Sequence, residues 1–258
     1  MMIGIAVVAL LLATENVKAQ SRVVRRARTE NRDDRLIRQE DPRRSDKGKV
    51  IIQEPVRRIK VVDHDVIRAF DRESFDSNRL KMADMVFSTG GFMTAAQIRD
   101  VSSMFDFDSN RVKFLKKAYL NCVDRHNFYR VLTTLDFSSS REEITKFVIN
   151  DNRRNYREDE PLRKVSAADM NAIIKVINNE TFDSAREKLA KMIMCSNLFT
   201  ARQIADIAKT FSFDSNRYDF LLFAFDSCVD PQNYVIAANT LDFASNREDL
   251  MRKITRRP

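Results

Sequence analysis

From about residue 63 onward, apolar positions recur every three to four residues in runs broken by Asp, Ser, Thr, Asn or Pro. That interval is the period of a helix with one buried face, and no stretch carries the two-residue alternation of a half-buried strand. The spacing predicts helices over 63–73, 77–88, 94–104, 109–121, 125–135 and 139–150, and again over 166–179, 184–195, 200–210, 215–227, 231–240 and 245–255. Thr94 and Thr200 stand where an N-cap is wanted, and Asp230-Pro231 offers an N-cap followed by Pro at the first helical position. The two sets of six are copies. Displaced by 106 positions, Phe92–Arg141 falls on Leu198–Arg247 without a gap and with 24 identities in 50 positions.

A shorter pattern, Phe-x-Ser-x-Arg, punctuates both copies. It comprises Phe75, Ser77, Arg79; Phe107, Ser109, Arg111; Phe137, Ser139, Arg141; Phe182, Ser184, Arg186; Phe213, Ser215, Arg217; and Phe243, Ser245, Arg247. Each instance reads as a helix start. Asp or Ser should accept from the free first-turn amides, and the Phe should close over a residue one turn in, as Phe107 with Val112 or Phe75 with Leu80. Ser139 and Glu142 have capping-box spacing. The Arg opposes the helix dipole, so it calls for a carboxylate or the carbonyls ending a neighbouring helix. Structural bracing outranks an anion site built of six arginines.

The amino terminus follows different rules. Ile3–Ala13 is an apolar run too short for a bilayer, and Val17-Lys18-Ala19 after it has small or short residues where a signal peptidase reads. Residues 1–19 are therefore expected to be a cleaved secretory signal, which places the mature chain in the periplasm or the secreted fraction with no transmembrane anchor. Residues 20–60 hold 14 Lys/Arg against 7 Asp/Glu, whereas the rest of the chain from Val61 is nearly neutral. They are expected to be a basic, flexible linker, with Arg25, Arg26, Arg43, Arg44, Arg57 and Arg58 as candidate contacts to a polyanion or membrane surface. A short strand-like piece is expected near Val50–Ile52 or Val61-Val62. The remaining organisation is a helical domain over 61–152, a charged link over 153–165 and a second helical domain over 166–258.

The motif series Phe-Asp-Ser-x-Arg, Thr-x-x-Gln-Ile, Phe-x-Phe-Asp-Ser-x-Arg, Cys-Val-Asp-x-x-Asn and Leu-Asp-Phe, in that order, resembles a bacterial family catalogued as domain of unknown function 4476. The resemblance covers about Val66–Asn150 and Ala167–Ile254. It implies a small helical domain on secreted or envelope proteins and carries no activity. The fold class expected on all grounds is all-α: two tandem multi-helix copies behind the signal and linker.

Candidate chemistry is sparse. Two His, four Gly and no Trp argue against a multi-His metal centre and against glycine-loop phosphate cradles. Asp106-x-Asp108-x-Asn110 imitates a calcium loop, but Arg111 stands where the turn wants Gly and Lys117 where a bidentate Glu belongs. His126 lies near Cys122, yet its counterpart is Gln232. No catalytic, metal or cofactor residue is assigned, no nucleic-acid partner is expected, and three free thiols are favoured for Cys122, Cys195 and Cys228. Leu222, Phe223 and Ile236 replace Lys116, Lys117 and Arg130 of the first copy. That apolar face is expected to meet the first copy, a second chain or a partner protein, and a homo-oligomer stays open. The leading reading is a non-catalytic, exported interaction module of the envelope or secreted fraction. A polyanion binder acting through the 20–60 segment comes second, and an enzyme with a dispersed site third.

Overall fold

The computed structural model describes residues 60–154 and 162–256. The segments expected to be signal and linker, including the six candidate arginines, lie outside the described residues apart from Lys60. Most of the 153–165 link does too. In chain order the elements are β1 (Lys60–Val61), α1 (His64–Arg72), α2 (Asp76–Ser88), β2 (Gly91–Phe92), α3 (Ala95–Ser103), α4 (Asp108–Leu120), a 3-10 segment (Arg125–Thr134) and α5 (Ser138–Arg154). The second copy repeats them as β3 (Arg163–Lys164), α6 (Ala167–Asn178), α7 (Asp183–Met194), β4 (Asn197–Leu198), α8 (Ala201–Ala208) and α9 (Asp214–Ala224). Short 3-10 turns follow at Phe225–Ser227 and Pro231–Asn233, then α10 (Val235–Ala238) and α11 (Ala244–Thr255).

The all-α, two-copy architecture holds. One local expectation is corrected. The fifth helix of each copy winds as 3-10, wholly in copy one and partly in copy two. The short strand-like piece expected near Val61-Val62 occurs as Lys60–Val61, paired parallel with Gly91–Phe92, and Arg163–Lys164 pairs in the same way with Asn197–Leu198. Gly91 sits in the first of these pairings, where an added Cβ would come within 2.8 Å of the Val86 carbonyl oxygen. Gly90 makes the turn with Thr89, at φ +82°, a left-handed conformation that costs a residue with a Cβ.

The Thr-x-x-Gln stretch shared by the two copies builds a full capping box in each. The Thr94 hydroxyl accepts from the Gln97 amide and Gln97 Oε1 from the Thr94 amide, and Thr200 and Gln203 repeat the arrangement. The Gln side-chain amides then donate to the Val62 and Val165 carbonyls, tying each box to the residue after the short strand. Cys-Val-Asp serves the same helix start. Asp124 and Asp230 accept from the Ala95 and Ala201 amides at 2.6 Å. Cys122 and Cys228 sit in bridges to Met93 and Phe199.

The helices α2, α4, α5, α7, α9 and α11 pack side by side in that order, and α1, α3, the 125–134 segment and α6 neighbour one another behind them, as do α8 and α10. Each Phe-x-Ser-x-Arg motif starts one helix of the first layer. Six helix pairs thus stack in one body with a continuous buried core. Phe114 at its centre in copy one contacts Phe70, Phe87 and Phe105, and Phe220 against Phe211 is the counterpart in copy two. The copies join through α5 against α7 and through the 125–134 segment against α6 and α7. Across this joint Arg141 pairs with Glu180 at 2.6 Å, Lys188 with Glu142 at 2.6 Å and Arg130 with Asp169 at 3.0 Å.

Candidate interaction surface

The motif is used differently from a local helix cap. Phe75, Phe107, Phe182, Phe213 and Phe243 are themselves the N-cap residues and make no side-chain cap. Phe137 immediately precedes α5. The four motif aspartates are buried and reach to the next motif along the chain. Asp76 accepts from the Asp106 and Phe107 amides and from the Asn110 side chain. Asp108 accepts from the Asp136 and Phe137 amides at 3.1 and 3.0 Å. Asp183 accepts from Ser212 and Phe213, and Asp214 from Asp242 and the Asn246 side chain. Between α5 and α7, where the motif has Ser138 in place of Asp, the Arg141–Glu180 pair takes over. All five joints therefore set N-terminus beside N-terminus, and the six helices run parallel.

The motif arginines brace the same edge. Arg111, Arg186 and Arg217 donate through Nε to the carbonyls of Phe105, Glu180 and Phe211, each six residues back. Arg141 and Arg247 do so through Nη1 to Leu135 and Leu241. Arg186 and Arg217 also reach the Thr210 and Thr240 carbonyls of the next motif, and Arg111 pairs with Asp136 at 2.6 Å. Carbonyls and carboxylates thus offset the cation that the helix dipole disfavours. Burial raises the Asp76 and Asp108 pKa values, but the amide, side-chain and arginine hydrogen bonds outweigh it and hold both below the ordinary carboxylate range. With Asp108 engaged in this way, the calcium-like stretch is a structural joint. Among the described residues no group of three His, Cys, Asp or Glu could hold a metal.

What remains of the motif faces outward. The six phenylalanines are 63–68% exposed. The hydrophobic staples expected from Phe75 and Phe107 are therefore not formed, because the rings turn away from the helices they begin. The serines of all six motifs are exposed too, and no hydrogen bond from them occurs among the described residues, so the expected Ser capping is also corrected. Glu142, expected to close a box with Ser139, reaches Lys188 and Lys146 instead. Among the described residues none of the six rings stacks on another. Between Phe107 and Phe137 lies an open cleft of about 590 Å³, with Ser109, Val112, Lys113, Lys116, Ser140 and Glu143 around it.

Leu222, Phe223 and Ile236 lie elsewhere. They are half-buried against the core of copy two, with the Lys191 ammonium 5.7 Å from the Phe223 ring centre, while the joint between copies is built from other elements. All three cysteines are free thiols. Cys122 and Cys228 are buried and Cys195 half-buried. His126 is near the joint, where its carbonyl accepts from the Asn197 side chain.

Stacked helix pairs in two layers, each pair contacting its neighbours, define a helical repeat protein. The family model described as "Domain of unknown function (DUF4476)" matches residues 63–148 and 164–254, and the chain belongs to that family. No curated protein and no solved structure matches the chain. Among the described residues no helix is long and apolar enough to cross a membrane.

Proposed function

We propose that the chain is an exported, non-catalytic interaction module whose contact surface is the edge formed by the six helix N-termini. One observation carries this reading. Phe and Ser recur in all six motifs and are exposed in all six, whereas the Asp and Arg between and after them are bound into the fold. A Phe at an N-cap gives up about 1 kcal/mol relative to Ser, Thr, Asp or Asn there. Six such losses at exposed positions gain nothing for folding, so the rings serve contact. The repeated acidic groups support a non-catalytic role, because Asp76, Asp108, Asp183 and Asp214 are held by amides of the adjoining helix. Export rests on the apolar run and the Val17-Lys18-Ala19 ending.

The test is a photo-crosslinking side chain placed at Phe107, Phe137 or Phe213 in the full chain, expressed in its own cells. A control carries it at Lys209, exposed at the C-terminal end of α8. Adducts from the ring positions but not from Lys209, on a chain beginning at Gln20 in the exported fraction, are the expected outcome. Equal labelling at Lys209 overturns the surface assignment, and retention in the cytoplasm overturns export.

A second reading has one sequence observation behind it, the +7 net charge packed into residues 20–60. Arg25, Arg26, Arg43, Arg44, Arg57 and Arg58 then attract polyanions. Such binding weakens steeply with salt, because exposed charges are screened beyond about 8 Å at physiological ionic strength.

A further inference from the structure

The partner that fits this edge can be specified further, on the footing that the edge is the contact surface. Helices packed side by side lie about 8–10 Å apart, so the rings that begin them repeat at roughly that interval. The edge is also acidic. From two residues before each Phe to the Arg, the six motifs hold nine carboxylates and six guanidinium groups, nine minus six leaving a net of −3. The imbalance is greater at the surface. Asp136 and Asp242 side chains are 71% and 68% exposed, while their partners Arg111 and Arg217 are 13% and 17% exposed. Solvent therefore meets phenyl rings, serine hydroxyls and carboxylates. Lys113 and Lys116 stand further along α4, and Lys116 is paired with Glu143 at 2.6 Å.

We propose that the edge binds an extended, basic peptide in the polyproline II conformation, with a bulky apolar side chain at every third residue. Polyproline II has three residues per turn and rises about 3.1 Å per residue, so every third side chain returns to one face after about 9 Å. That matches the interval of the rings. A β-strand repeats on one face at about 6.6–6.8 Å and falls out of step. An α-helix keeps step only with every seventh residue, and it hides its carbonyls from the six serines. Polyproline II leaves its carbonyls free, and aromatic-lined grooves are its usual docking surface. Lys or Arg between the apolar residues meets Asp106, Asp136 and Asp242. A second copy of this edge, or an anionic lipid surface, brings like charges together instead. Six rings span about 40–50 Å, or about 13–16 residues of such a peptide.

The experiment uses the full chain and three fluorescent 18-residue probes, (Lys-Pro-Leu)6, (Glu-Pro-Leu)6 and (Lys-Pro-Ser)6, read by polarisation. Each is titrated with wild type and with the Phe107→Ser, Phe137→Ser double variant. The ring-dependent difference is the readout, because the basic 20–60 segment attracts the Glu probe whatever the rings do. Expected are tightest binding of (Lys-Pro-Leu)6, at least tenfold weakening by the double variant, and little ring dependence for the other two. Equal affinity of wild type and double variant for (Lys-Pro-Leu)6 overturns the peptide assignment. Ring-dependent self-association in sedimentation, or ring-dependent binding to phosphatidylglycerol vesicles, without ring-dependent peptide binding, overturns it in favour of those partners. A variant with all six Phe→Ser changes separates this failure from failure of the underlying reading. If it loses its helical circular dichroism, the rings belong to the fold and both readings fall. If it stays folded and the wild type shows no ring-dependent peptide binding, only the partner class falls.

Discussion

Asp108→Ala tests the joint between neighbouring helices most directly. The Asp108 carboxylate is buried and accepts from the Asp136 and Phe137 amides, from Arg111 at 3.0 Å and from the Ser140 side chain. Truncation leaves two backbone amides without partners at a site walled by two helices. A buried donor left unsatisfied costs about 1–3 kcal/mol. Arg111 keeps Asp136 and the Phe105 carbonyl, so it adds little. The expected loss is about 3 kcal/mol, or about 6–12 °C in melting temperature for a body of this size. Ser138→Ala, at the equivalent position of the next motif, exposes no such dependence and is expected to change stability by less than about 0.5 kcal/mol. Urea unfolding followed by circular dichroism measures both. The pH dependence has a definite sign. The Asp108 pKa is lowered in the folded chain, so its contribution is complete above the unfolded value of about 3.9 and is lost as pH falls through the lower folded value. Wild type and Asp108→Ala should therefore differ fully at neutral pH and converge in strong acid. Equal stability at neutral pH would refute the cross-helix capping argument, and so would a gap that persists undiminished in acid.

Glu180→Ala removes the buried carboxylate facing Arg141 at the joint between copies and should cost about 3 kcal/mol in the same assay; a loss under about 1 kcal/mol would mean the pair is dispensable. Phe213→Ser replaces a 67%-exposed ring with a preferred capping residue, and the melting temperature should move by no more than a few degrees, whereas Phe220→Ala in the core should cost about 3–5 kcal/mol. A thiol reagent should label Cys195 first in the native chain and all three cysteines after denaturation, because burial shields Cys228 and both shields Cys122 and pushes its thiol pKa up. Finding fewer than three reactive thiols in denatured, unreduced protein would reveal a bridge and contradict the free state of all three.

Sequence alone determined what depends on neighbours a few residues away. Helix periodicity, the Thr94 and Thr200 capping boxes and the duplication are local or self-referential, so the twelve-helix outline and its two copies were legible. The family followed from the same motifs. Local reasoning failed where the decisive partner lies about 30 residues off. Asp108 next to Ser109 at a helix start reads as a cap for its own helix, yet parallel stacking puts the start of α5 alongside, and the carboxylate satisfies those amides instead. Asp76 on the neighbouring helix holds the Asp106 and Phe107 amides just ahead of α4, and Phe107 turns outward instead of closing on Val112. Which side of Phe-x-Ser-x-Arg faces water was therefore set by stacking. So was the course of the joint between copies. Leu222 and Phe223 form an apolar run in sequence, but the end of copy one, carrying α5, meets α6 and α7 at the start of copy two, and chain order along the stack left α9 to pack within its own copy. The 3-10 winding of 125–134 has no period of its own to read, and only packing against α3 fixes it, whereas the Lys60–Val61 strand was legible in Val61-Val62 and found its partner at the α3 entry.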